Sequence, residues 1–183
     1  MNTPKNYSLP LSKDVIRRLK IGDEVLLSGT LLTARDVAHK RFLDLIGKGR
    51  KLPVDLKDAA IYYCGPTPAR PGMAIGSCGP TTSSRMDSFT PALIRRGLRV
   101  MIGKGRRSDA VKKAMMRAGC VYFVATGGLG ALLATRVKSA KQIAYRDLGA
   151  EAIHALVVED FPVIVAIDAK GRDIYGTAKR QKK

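Results

Sequence analysis

The stretch Cys78-Gly79-Pro80-Thr81-Thr82-Ser83-Ser84-Arg85-Met86-Asp87 sets a glycine, a proline, four hydroxyls, an arginine and an aspartate between two apolar segments. Glycine lets a backbone approach a ligand closely, proline stiffens the turn, and consecutive amides can form an anion-binding nest. The hydroxyls donate or accept hydrogen bonds, and Arg85 can clamp a carboxylate with two parallel ones. The same residues also suit an ordinary polar loop with a helix cap, and so short a motif does not separate the two readings. Upstream, Cys64-Gly65-Pro66-Thr67-Pro68 repeats the Cys-Gly-Pro-Thr order. Two such turns can sit side by side without making a repeat fold.

Working outward, residues 59–64 read as a strand that delivers the first turn, and residues 73–77 as a short strand that delivers the second. Towards the N-terminus, Ser12 caps a short helix over 14–19, and 25–32 reads as a buried strand. Thr33 is the natural cap of a helix over 34–46, ended by Gly47, with Val37, Ala38, Phe42, Leu45 and Ile46 on its buried face. Arg35 and His39 are four apart and share one face of that helix. Arg35 is electrostatically odd in a first turn, because helix N-termini favour negative charge; an incoming carboxylate would resolve this. The plain alternative is a solvated arginine, and a lone histidine such as His39 is more often structural than catalytic.

Towards the C-terminus, Thr90-Pro91 opens a helix that Gly97 ends, 98–102 is a strand, and Gly103-Lys104-Gly105 is a tight basic turn. Ser108-Asp109 caps a helix over 110–118 closed by Gly119, followed by a strand over 120–125. A glycine turn at 127–130 leads to a short helix over 131–135. Strands are expected at 142–145, 155–158, 163–167 and 173–175, with Glu159-Asp160-Phe161-Pro162 as a strand entry whose proline removes one donor. Alternating strands and helices with a strand-rich end predict a mixed α/β domain. Gly103-Lys104-Gly105 lacks the spacing and the Ser/Thr of an ATP loop, and Gly127-Gly128-Leu129-Gly130 lacks the strand–turn–long-helix unit of a dinucleotide site.

With 183 residues and 45% apolar composition, the chain suits a single domain, placed at 1–176, with a basic flexible tail at 177–183. No apolar run of about 18 residues exists, and Met1–Tyr7 lacks the apolar core of a signal peptide, so the expectation is a soluble cytoplasmic protein without a membrane partner. Three cysteines, Cys64, Cys78 and Cys120, without a Cys-x-x-Cys pair argue against both a disulfide framework and a self-contained metal site. A net charge of +18, clustered at 48–51, 104–107 and in the tail, points to an anionic partner: nucleic acid, an acidic subunit or an anionic substrate. With 5% aromatic residues and no Trp, stacking platforms for single-stranded nucleic acid are scarce.

Thr33-Ala34-Arg35-Asp36-Val37-Ala38-His39-Lys40-Arg41, Tyr63-Cys64-Gly65-Pro66-Thr67 and Gly79 to Asp87, followed in order by Gly103-Lys104-Gly105 and Glu159-Asp160-Phe161-Pro162, resemble the β subunit or C-terminal domain of the class I iron–sulfur hydro-lyases, the class I fumarases and L(+)-tartrate dehydratase. The resemblance runs from about Leu9 to Tyr175. It implies a swivelling β/β/α domain that closes over a 4Fe-4S cluster held by a separate α subunit, with no cluster ligand in this chain. It further implies a dicarboxylate substrate and an αβ pair that dimerises. By the same resemblance Arg35, Arg85 and Lys104 bind substrate and Thr81 is the candidate base, while His39, Thr82, Ser83 and Asp87 support them. Threonine is a weak base unless its surroundings shift it, so base and hydrogen-bonding positioner both stand as readings of Thr81. The first functional expectation is the β subunit of a heteromeric fumarate hydratase. The L(+)-tartrate dehydratase β subunit is its same-class rival, because substrates differing by a hydroxyl are told apart by a few pocket groups. A basic RNA-binding module is the rival of another class, supported by charge and opposed by the absence of a binding motif. A stand-alone interaction domain is the third possibility.

Overall fold

The computed structural model describes residues 3–177 of the chain. Its strands are β1 (Lys5–Ser8), β2 (Glu24–Thr33), β3 (Ala60–Tyr62), β4 (Val100–Gly103), β5 (Val121–Val124), β6 (Val137–Ala144) and β7 (Ile153–Ile167). The helices are α1 (Lys13–Arg18), α2 (Asp36–Gly47), α3 (Thr90–Arg95), α4 (Asp109–Ala118), α5 (Gly130–Thr135) and α6 (Ile174–Thr177). Strands β1 to β5 are parallel neighbours in chain order, and β7 runs antiparallel between β5 and β6. Because β7 is fifteen residues long, it also pairs with β2, so Ile164 lies opposite both Val124 and Glu24. That second pairing closes β2, β3, β4, β5 and β7 into a barrel-like core.

Side-chain alternation explains two cores from one sheet. Ala60 and Tyr62, Val100 and Ile102, and Val121 and Phe123 turn inward with Leu27, Leu31, Leu156 and Val165. Ile61, Met101 and Tyr122 turn outward and pack under α2, α3 and α4 through Phe42, Leu93, Ile94, Val111 and Met115. Strands covered on both faces read as continuous apolar runs, as residues 100–102 and 120–125 do. Burying each such side chain contributes about 1.5–3 kcal/mol. The local signals work as expected at α1 and α4: Ser12 Oγ accepts from the Val15 amide at 3.2 Å, Ser108 Oγ accepts from the Val111 amide at 3.4 Å, and Gly119 ends α4 at φ 67°.

Four expectations are corrected. Thr33 ends β2 instead of capping α2: its Oγ1 accepts from the His154 amide at 2.9 Å, so pairing with β7 captures the hydroxyl. Arg35 then becomes the extended residue before α2. Residues 73–77 form no strand; the Thr67 and Gly76 amides bond back to the Ser77 and Thr67 carbonyls at 3.0 and 3.2 Å, which lays the two Gly-Pro-Thr turns against each other. Residues 155–158 and 163–167 are one strand, because Asp160 takes a left-handed φ of 49° and donates its amide to Ser28 Oγ at 3.1 Å. The resulting bulge carries the chain through Pro162, which needs no ladder donor there. Residues 173–175 contribute only one bridge, Asp173 to Ile167, before α6 begins. The unforeseen β1 is polar and mostly exposed, so only its partner strand reveals it. Of the tail placed at 177–183, residues 178–183 lie outside the described residues. Among the described residues no helix is long and apolar enough to cross a membrane.

Candidate active site

Ligands of parallel sheets collect beyond the carboxyl ends of the strands, where loops and helix starts converge. Here β2 ends into Ala34-Arg35-Asp36, β3 into Tyr63-Cys64-Gly65, β4 into Lys104-Gly105, and β5 into Thr126-Gly127. The segment after the second Gly-Pro-Thr turn is stitched across these ends. The Thr81 amide donates to the Tyr63 carbonyl at 2.7 Å, the Lys104 amide to the Thr81 carbonyl at 3.3 Å, and the Ser83 amide to the Lys104 carbonyl at 2.9 Å. Thr82 is exposed and pairs with Lys104 as a parallel bridge. A 3-10 turn over Ser83–Met86 follows, anchored by the buried Met86, and presents Arg85 on its outer side.

Asp36 lies between the two arginines. Arg85 grips it in a fork, Nε to Oδ1 at 2.9 Å and Nη2 to Oδ2 at 2.7 Å, while Arg35 Nε is 3.5 Å from Oδ2. Arg35 Nη2 also meets Glu151 Oε1 at 3.1 Å, and Glu151 Oε2 accepts from the Val37 amide at 2.7 Å in the first turn of α2. The electrostatic oddity of Arg35 is thus offset by Asp36 and Glu151, carboxylates of the chain itself. Gly65 makes room for this arrangement: a Cβ there would stand 2.7 Å from Arg35 Nη1 and 2.9 Å from the Ala150 carbonyl. Lys104 is exposed, with its Cδ 3.8 Å from the Cβ position of Gly127, and forms no ion pair among the described residues. Three cations therefore face two carboxylates around Thr81.

The remaining residues named from the sequence sit beneath this surface. His39 is fully buried against Tyr63, Phe42 and Phe89, with Nδ1 3.0 Å from the Arg35 carbonyl and Nε2 lacking a partner among the described residues. Burial pushes its pKa from 6.5 down to about 4, so the ring is neutral and its proton sits on Nδ1, where the acceptor is. Ser83 Oγ is 2.8 Å from the Tyr122 hydroxyl, which also reaches the Gly105 carbonyl at 2.9 Å. Asp87 accepts from Arg107 Nε and from the Ser108 amide, both at 2.6 Å. The structure thus brings Arg35, Thr81, Arg85 and Lys104 to one rim and places His39, Ser83 and Asp87 below it.

Sequence reasoning missed three residues here. Asp36 and Glu151 escape it because their partners are distant in sequence. Arg107 looks like one more surface cation of the 104–107 cluster, yet its side chain is 0% exposed. Its guanidinium bonds Asp87, Thr90 Oγ1 at 2.7 Å and the Tyr63 hydroxyl at 3.2 Å, and lies over the rings of Tyr63 and Tyr122. No local sequence signal separates it from its exposed neighbour Arg106.

The thiols do not make a metal site between them. Cys64 and Cys78 lie in the core inside the barrel, where the Cys78 thiol donates to the Gly130 carbonyl at 3.9 Å, whereas Cys120 lies in the outer core and donates to the Leu98 carbonyl at 3.3 Å. Among the described residues no group of three or more His, Cys, Asp or Glu side chains could hold a metal ion. The residues present do not fit a 4Fe-4S cluster as ligands.

The family model described as Fumarase C-terminus matches residues 5–178. The chain is 39% identical over 168 residues to the anaerobic class I fumarate hydratase of Escherichia coli, covering 89% of this chain and 31% of that protein. It is 38% identical to the putative L(+)-tartrate dehydratase subunit beta of Methanocaldococcus jannaschii, covering 90% of this chain and 88% of that one. Against the L(+)-tartrate dehydratase subunit beta of Escherichia coli it is 31% identical, over 96% and 89% of the two chains. The chain spans about a third of the length of the fumarate hydratase and nearly the whole of the two beta subunits. With almost every described residue inside the match, the chain belongs to the Fumarase C-terminus family.

Proposed function

We propose that this chain is the β subunit of a heteromeric hydro-lyase that reversibly hydrates fumarate to malate in the cytoplasm, as a single swivelling domain that closes over a cluster-bearing α subunit. The observation that carries the reading is the gathering of Arg35, Arg85, Lys104 and Thr81 on one rim with an excess of positive charge. A small dicarboxylate needs two cationic clamps, and Arg35 and Lys104 beyond the ends of β2 and β4, with Arg85 on the 3-10 turn, provide them. A 4Fe-4S cluster held by the α subunit would supply Lewis acidity; the rest of the chemistry is assigned to side chains.

In the dehydration direction a proton leaves the carbon next to one carboxylate, the electron pair moves into that carboxylate, and the neighbouring carbon then loses its hydroxyl as the double bond forms. Arg35 and Arg85 hold the carboxylates and stabilise the added charge. Arg85 keeps Nη1 outside its fork with Asp36, and Asp36 holds both guanidinium planes in place. Thr81 takes the proton only as the alkoxide, its own proton released to solvent and Lys104 as the adjacent cation favouring that charge, or else its hydroxyl orients the carbon beside it. Two such αβ pairs associating would complete the assembly.

A second reading is the β subunit of an L(+)-tartrate dehydratase: relatives of that name match this chain almost end to end, which supports a separate β subunit without separating the two substrates. Family membership disfavours the RNA-binding module. Anaerobic purification through a tag on this chain, with assays of iron and of fumarate and tartrate turnover, tests the proposal. An iron-bearing companion with fumarate turnover is the expected result. Tartrate turnover alone selects the second reading, and bound RNA without companion or iron overturns both.

A further inference from the structure

The segment that carries Thr81 and Arg85 has few supports of its own: it is an extended stretch and a single 3-10 turn outside the helices and named strands. Four of the residues that hold it meet at one buried cation. Tyr63, whose carbonyl holds the Thr81 amide, offers its hydroxyl and its ring face to Arg107. Tyr122, whose hydroxyl holds Ser83 and the Gly105 carbonyl next to Lys104, offers its ring face at 5.1 Å. Asp87, which closes the segment, takes Arg107 Nε and the Ser108 amide on its two oxygens. Thr90, at the start of α3, accepts from Nη2 and donates to the Met86 carbonyl at 2.8 Å.

A bare buried cation would be strongly destabilising, and a packed core needs none. This one is matched in geometry: a fork donor set engages a carboxylate, two hydroxyls and two ring faces, which an ammonium cannot reproduce. From this convergence we infer that Arg107 is a positioning residue for the reaction: it touches no substrate, but locks Thr81, Arg85 and Lys104 in one mutual arrangement. The inference rests on the proposed hydro-lyase reading. Its reach is large because a displacement of about 1 Å in a reacting group can cost roughly a hundredfold in rate.

The test uses the assembled αβ complex, with turnover expressed per assembled, iron-replete complex, in Arg107→Lys and Tyr122→Phe. Tyr122→Phe deletes one hydroxyl from a ring that stays packed, so it keeps the question answerable where Arg107→Lys fails to assemble. Arg107→Lys should lower kcat by about a hundredfold and Tyr122→Phe by about tenfold, given the cost of a displaced reacting group. Hydrogen exchange of peptides spanning 79–89 and 103–108 should accelerate in both variants, a readout that needs no activity. A purely structural role predicts a lower Tm and yield but wild-type kcat and KM per assembled complex, and wild-type exchange in those peptides. That result in Tyr122→Phe, or in an assembled Arg107→Lys, would overturn the inference. A wild-type complex inactive on both fumarate and tartrate would sink the hydro-lyase reading instead; faster exchange in the variants would then still support the lock, and unchanged exchange would overturn it.

Discussion

His39 links the buried core to the site rim, and replacing it by leucine isolates that link. The ring donates from Nδ1 to the carbonyl of Arg35, the residue that opens α2, and Nε2 is buried without a partner among the described residues. Losing the Nδ1 bond costs about 1 kcal/mol, and removing the unsatisfied Nε2 returns about 1–3 kcal/mol, so the two oppose each other at neutral pH. The pH dependence is the sharper quantity. Burial holds the folded imidazole near 4, against 6.5 for the ordinary group. Between those values the unfolded chain binds the extra proton, so stability is full above pH 6.5 and falls as pH drops towards 4. The slope is about 1.4 kcal/mol per pH unit, which gives a loss of about 2 kcal/mol between pH 7.5 and pH 5. His39→Leu lacks this titration while sharing the others. Urea unfolding of both chains at the two pH values should therefore show the difference in stability moving by about 2 kcal/mol in favour of the variant at pH 5. Parallel pH profiles for the two chains would refute the reasoning, because they would mean that the folded ring gains its proton as easily as the unfolded one.

Arg85→Lys should lower kcat/KM for fumarate by one to two decades, because losing one charge-assisted carboxylate contact costs about 1.5–3 kcal/mol; unchanged kinetics would remove Arg85 from the site. Gly65→Ala drives a Cβ to within 2.7 Å of Arg35 Nη1, so Arg35 must leave its present position. Steady-state assays should show KM raised roughly tenfold with a small loss of Tm, whereas a wild-type KM would mean that Arg35 does not act from this place. In Gly103→Ala the new methyl runs into the Ser83 hydroxyl and stands 2.8 Å from Tyr63 Cδ2. Thermal melting should reveal a loss of about 1–3 kcal/mol, and an unchanged Tm would disprove the close approach of strand and segment.

Much of this protein is legible before any coordinates. Ser12 and Ser108 cap helices, Gly119 ends one, and the strand expected at 98–102 and the apolar run at 120–125 become β4 and β5, covered on both faces. Each of those features depends on residues within three or four positions or on a short periodic pattern, which a linear reading captures. Ordered motifs likewise name the rim residues Arg35, Thr81, Arg85 and Lys104. Tertiary structure alone decides what competes for a group when several uses are open to it. Thr33 is a good helix cap in isolation, but a strand 121 positions away takes its hydroxyl. Arg85 finds Asp36 across 49 positions, and the helix start that Asp36 shares with Arg35 is satisfied by Glu151, 114 positions beyond Val37. Arg106 and Arg107 are adjacent and alike in sequence, yet one is exposed and the other is sealed among Asp87, Thr90, Tyr63 and Tyr122. A cation is buried only where the closed sheet brings a carboxylate, hydroxyls and ring faces around it at once, and that coincidence belongs to the fold and not to any stretch of the chain.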